Sequence, residues 1–144
     1  MLREQRNNRM RQISKIVVHH TASPQKTTTW EMVDKWHKDK GWSGIGYHYL
    51  ILGDGLITKG REESRIGAHL QGQNKYSIGI CLAGNFETEQ PTPNQLISLE
   101  TLVLDLLERF PNAELTWHRR EAATLCPGKN LVPHVQAIKD KTHR

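Results

Sequence analysis

Apolar residues along this chain fall into short blocks whose spacing separates strands from helices. Lys15–His20 is short, β-branched and ended by Thr21, Ala22, Ser23 and Pro24, which predicts a buried strand. Its period of two puts Val17 and His19 on one face and Ile16, Val18 and His20 on the other, so only one histidine of the pair can look into a given site. Thr28 with Glu31 three positions later forms a capping box, and Trp30, Val33 and Trp36 or His37 recur at helical spacing, predicting a helix near 28–39. Tyr47–Leu52, Gly53-Asp54-Gly55 and Leu56–Lys59 predict a hairpin, because the Asp-Gly pair supplies the positive φ of a tight turn.

Ser77–Ala83 predicts another apolar strand, closed by Gly84-Asn85. Thr92, Pro93 and Gln95 provide an N-cap, a proline at the first helical position and the far end of a second capping box. Leu96, Leu99, Val103, Leu106 and Phe110 then form one stripe of a helix that Pro111 ends. Glu114–His118 reads as a short strand and Pro133–Lys139 as a last helix. Strands mixed with helices predict a single α/β domain with a central mixed β-sheet flanked by helices. The 144 residues leave no room for a second domain of ordinary size, so the expected division is a flexible basic arm over 1–12 and one domain over 13–144.

The formal charge of +5 suggests an anionic partner until it is partitioned. Residues 1–15 carry +4 and residues 139–144 carry +2, leaving −1 for the body between them. A near-neutral globule with basic ends argues against direct nucleic-acid binding at a central face. No apolar run approaches the roughly 20 residues that span a bilayer, and the first fifteen residues are not a secretory leader, so production in a cytoplasm and no membrane partner are expected. Two cysteines do not make a disulfide framework. Cys81, inside a strand, reads as a small core residue.

The remaining chemistry lies in histidine and Cys126. His118 ends a predicted strand, and Cys126 follows eight residues later in a Pro-Gly loop. Two histidines and a cysteine suit Zn²⁺ and leave the fourth tetrahedral position for water, the catalytic form of a zinc site. Bound zinc lowers the pKa of its water to about 7 and polarises a carbonyl, which allows amide hydrolysis without a covalent intermediate.

Val18-His19-His20-Thr21-Ala22-Ser23, Trp36-His37-Lys38, Gly41-Trp42, Gly46-Tyr47-His48, Asp54-Gly55, Gly60-Arg61, Gly67-Ala68-His69, Asn74, Ser77-Ile78-Gly79-Ile80-Cys81-Leu82 and His118 through Cys126-Pro127 occur in this order. Together they resemble the type 2 N-acetylmuramoyl-L-alanine amidases. These share a fold with the peptidoglycan recognition proteins, and the nearest pattern is that of the small zinc-amidase lysozymes, or endolysins, of podophages related to coliphage T-seven. The resemblance implies one Zn²⁺ held by His19, His118 and Cys126, with Tyr47 beside the water and the substrate carbonyl. Where the phage lysozymes carry a catalytic lysine this chain has Thr124, as recognition-protein amidases commonly do, so Thr124 is a candidate contact for the oxyanion or water.

His69, Trp42 and Arg61 are candidate substrate contacts, while His37 and His48 read as hydrogen-bonded scaffold. The implied function is cleavage of the amide between N-acetylmuramic acid and L-alanine in peptidoglycan. A monomeric endolysin that waits in the host cytoplasm for a holin-type lesion is the expected setting. The alternatives are a non-catalytic peptidoglycan-binding module, or an added role as a phage RNA polymerase inhibitor. A glycosidase would need two carboxylates facing a cleft, which no acidic pair here supports.

Overall fold

A computed structural model describes residues 11–142. Five strands form one sheet in the order β3-β2-β4-β1-β5: β1 (Lys15–His20), β2 (Tyr49–Ile51), β3 (Ile57–Lys59), β4 (Ser77–Leu82) and β5 (Glu114–Trp117). β1 lies parallel to β4 and β5, β2 is parallel to β4, and β3 returns antiparallel to β2 as the sheet edge. The expected mixed sheet flanked by helices is therefore present. The helices are α1 (Trp30–Asp39), α2 (Pro93–Arg109), the single turn α3 (His118–Glu121) and α4 (Val132–Thr142).

The two faces of the sheet differ in kind. Ile16 and Val18 of β1 align with Ile78 and Ile80 of β4 and with Leu115 and Trp117 of β5. These side chains form the main core with Leu99, Leu102, Val103 and Leu106 of α2 and Val135 and Ile138 of α4. Each fully buried aliphatic side chain of this set contributes about 1.5–3 kcal/mol of transfer free energy. The opposite face carries Val17, His19, Gly79, Cys81 and Thr116, and only a small cluster of Val33, Ile45, Leu50 and Cys81 covers part of it. That thinner cover leaves space for a groove.

Local chemistry accounts for most element ends. Thr92 accepts from the Gln95 N–H and the Gln95 side chain accepts from the Thr92 N–H, completing the capping box expected there. At α1 the cap is Thr29, which accepts from the Met32 N–H at 3.2 Å, and not Thr28. Thr28 is buried and its hydroxyl is engaged by the Pro24 carbonyl and by Ser23, so tertiary contacts take the oxygen that a sequence-only reading reserves for the cap. Gly55 at φ +93 makes the hairpin turn, where a Cβ would also strike the backbone of Asn94.

Residues 1–10 of the expected arm lie outside the described residues, as do His143 and Arg144. Arg11, assigned to the arm from sequence, donates to the backbone carbonyls of Glu63, Asn74 and Ser77. It therefore ties the loop at Glu63 to the stretch 74–77 of the folded body. Among the described residues, no helix is long and apolar enough to cross a membrane.

Candidate active site

A groove of about 930 Å³ opens over the thinly covered face of the sheet. His19 points into it from β1 and is 1% exposed. His118 enters from the first residue after β5, beside His19, because Val18 pairs with Trp117 one step earlier. The chain then turns through α3 and brings Cys126 back to β1, where the thiol accepts from the His20 backbone N–H at 3.4 Å. One donor atom from each of His19, His118 and Cys126 lies within 4.8 Å of the others. His19 Nδ1 is 3.6 Å from Cys126 Sγ, and the two imidazole centroids are 4.7 Å apart.

The donor set fits a borderline-soft divalent cation: two imidazoles and a thiol bring donor atoms close together, and all three residues line the groove. Burial lowers the His19 pKa well below its usual value, with His69 and His118 adding to the effect, so the ring stays neutral as a ligand must. Burial pushes the Cys126 thiol up to about 12, against the pull of the His20 N–H. A coordinating cation reverses that preference, because a metal-bound thiol is deprotonated outright.

Around the donors, Tyr47 lies with its ring centroid 5.2 Å from that of His19. Burial raises its phenol well above 10, with the nearby Cys81 and Cys126 adding to the rise, so the hydroxyl remains a donor. Thr124 lines the groove, and its Oγ1 accepts from the Cys126 N–H at 3.2 Å, shaping the loop that presents the thiol. Trp42 stands at the groove edge with its ring against His37 at 4.8 Å and the Lys40 ammonium over its face at 5.1 Å.

His69 also borders the groove, yet both its ring nitrogens are engaged, Nδ1 with His19 Nε2 at 2.9 Å and Nε2 with Ser77 Oγ at 3.1 Å. Arg61 is not brought to the groove. Its guanidinium donates to the carbonyls of Ile45 and Ile66, which ties two loops together.

The His20 ring accepts from the Phe86 N–H at 3.1 Å and stacks on the Phe86 ring, on the core side as the alternation requires, although His20 as well as His19 lines the groove. His48 accepts from the Gly79 N–H and donates to the Arg65 carbonyl. His37 accepts from the Gly46 N–H at 2.7 Å, but it also lines the groove. Its place there, like that of Lys40 and Leu125, was not anticipated from sequence. The Trp-His pair on α1 was the available signal for His37, since the face that buries Val33 also turns His37 inward.

The family profile described as N-acetylmuramoyl-L-alanine amidase matches residues 9–129. The chain belongs to the N-acetylmuramoyl-L-alanine amidase family. Among the relatives of this amidase, the endolysin of Escherichia phage T7 is 36% identical over 122 residues, covering 81% of each chain. Peptidoglycan-recognition protein SC1a of Drosophila melanogaster is 35% identical over 129 residues, covering 83% of this chain and 70% of its own. The solved structure of the N-acetylmuramoyl-L-alanine amidase LysC from Clostridium intestinale superposes with a TM-score of 0.86 at 38% identity, over 94% of this chain and 87% of that one. The amidase thus has the fold shared by amidase endolysins and peptidoglycan recognition proteins, and peptidoglycan is its substrate class.

Proposed function

We propose that this amidase hydrolyses the bond between the lactyl group of N-acetylmuramic acid and L-alanine of the stem peptide in a zinc-dependent reaction. The convergence of His19, His118 and Cys126 at the floor of an open groove carries this reading. When bound there, Zn²⁺ supplies Lewis-acid polarisation and lowers the pKa of water towards neutrality. His19 and His118 hold the cation as neutral imidazoles and Cys126 as a thiolate. The protonated Tyr47 hydroxyl, which has the Cys81 thiol as its neighbour, is the donor assigned to the scissile carbonyl, and that hydrogen bond would gain strength as negative charge develops on the oxygen. Thr124 holds the Cys126 loop and offers a neutral hydroxyl where a cation would stand in the phage lysozymes. The volume of the groove, with Trp42 among its lining residues, supports a substrate bearing sugars and a peptide.

Similarity to endolysins supports a reading of the cellular setting. We place production inside the infected bacterium, as a monomer, with access to the wall through a holin-type lesion. A contact with a phage RNA polymerase is the alternative that the Arg-rich segment raises, and residues 1–10 of that segment lie outside the described residues.

Digestion of purified peptidoglycan with zinc-loaded, chelated and Cys126→Ala protein tests the proposal. Zinc-loaded protein is expected to release stem peptides with a free L-alanine amine, and both other samples to release almost none. New reducing sugar ends would mark a glycosidase and overturn it. Intact polymer retained on the zinc-loaded protein would assign a recognition module instead.

A further inference from the structure

Behind the three donors, a chain of side-chain hydrogen bonds runs from the groove floor into β4. Ser77 Oγ lies 3.0 Å from the Gln73 carbonyl oxygen. A carbonyl only accepts and a hydroxyl has one proton, so that proton is committed to Gln73. Towards His69 Nε2, at 3.1 Å, the same hydroxyl can therefore only accept. His69 Nε2 carries the N–H, and a neutral imidazole protonated there presents a lone pair at Nδ1. That lone pair is 2.9 Å from His19 Nε2, which makes Nε2 the donor. The nitrogen left unprotonated on His19 is Nδ1, the one facing Cys126 Sγ.

We infer that His69 and Ser77 are positioning residues that set the tautomer and ring angle of His19, so that it offers Nδ1 to the cation. The inference rests on the zinc reading above. It also reassigns His69, a candidate substrate contact from sequence, because neither ring nitrogen is left for a ligand. The surroundings fix the His69 ring independently of His19. The backbone N–H groups of His69 and Leu70 both donate to Asn74 Oδ1, at 2.9 and 2.7 Å. The ring lies so close to β4 that a Cβ on Gly79 would sit 2.7 Å from His69 Cγ, so the strand needs glycine there. The ring is perpendicular to that of His19, which directs its lone pair edge-on at the Nε2 proton. A hydrogen bond at the far nitrogen of a ligating histidine fixes its orientation and raises its basicity.

Long-range ¹H–¹⁵N correlation spectra of the metal-free and zinc-loaded chain read these tautomers directly. Both states are expected to show Nε2–H on His69 and on His19. In chelator competition, His69→Phe keeps the ring but removes the lone pair, and its zinc affinity is expected to fall by about 10–100-fold. His69→Asn puts an amide oxygen where Nδ1 stood and is expected to recover most of that loss, a rescue that a purely space-filling role would not produce. Ser77→Ala is expected to mix the His69 tautomers and weaken zinc binding in the same direction. An Nδ1–H tautomer at His19 in the metal-free chain, or equal zinc affinity for the wild type and His69→Phe, overturns the assignment. A wild-type chain that takes up no zinc overturns the metal reading instead, and the metal-free spectra then judge the tautomer chain alone.

Discussion

Tyr47 reaches the site because a strand period fails. Tyr49 and Ile51 face the main core, so strict alternation would put Tyr47 there too. β2 begins only at Tyr49, and Tyr47 instead packs beside Val33, Ile45, Leu50 and Cys81 on the groove side. Tyr47→Phe is expected to leave the melting temperature nearly unchanged and to lower kcat by about 10²–10³-fold with little change in KM, the cost of removing one oxyanion donor. An unchanged kcat in a peptidoglycan digestion assay would remove Tyr47 from the chemistry. At β1 the period holds for the rings, His19 turning to Cys126 and His69 and His20 to Phe86, although both residues line the groove. What no local pattern carried was the use made of each polar side chain. Arg61 pairs with carbonyls of Ile45 and Ile66, and those partners are set by how two loops pass each other.

Elements were most legible where the signal is local. The Thr92-Pro93-Gln95 start and the stripe through Leu99, Val103 and Leu106 describe α2 almost as it stands, although Leu102 shares the buried face and Leu96 and Phe110 lie at its margins. Within that helix Leu99 is fully buried while Ile97 is 65% exposed. Leu99→Ala is expected to cost about 2–5 kcal/mol in urea unfolding, through lost transfer energy and a cavity. Ile97→Ala should stay within about 0.5 kcal/mol of the parent. Comparable losses at the two positions would contradict the amphipathic assignment. α1 was less legible at its start, because Thr28 and Thr29 offer the same hydroxyl and only the fold commits Thr28 to Pro24 and Ser23. The single turn α3 was hidden for another reason: one turn has no period to detect, and its Glu121 is held by Lys15 and Thr116 from neighbouring strands.

For the whole molecule, buried neutral histidines tie stability to pH. Desolvation by burial is the first cause in each case, holding His20, His37 and His48 at about 4 and His69 at about 3. In the unfolded chain each titrates near 6.5. Their contribution is therefore complete above about pH 6.5 and is lost as acid is added towards pH 4, because the unfolded chain binds protons the folded chain refuses. The urea midpoint of the metal-free chain is expected to fall between pH 7.5 and pH 5; equal midpoints would show that these rings are not held neutral. Zinc should make the dependence steeper, since protons then also compete for its ligands. By itself the sequence determined the two faces of β1, the helix caps at α2, the hairpin and the ordered family motifs, because short-range periodicity and turn chemistry specify these. Only the tertiary structure decided that one donor atom from each of residues 19, 118 and 126 comes within 4.8 Å of the others, that Arg61 stays outside the groove, and that His69 spends one ring nitrogen on His19 and the other on Ser77. Those outcomes depend on strand register and loop paths, which are set by packing between segments as far as 107 residues apart, where no local pattern reaches.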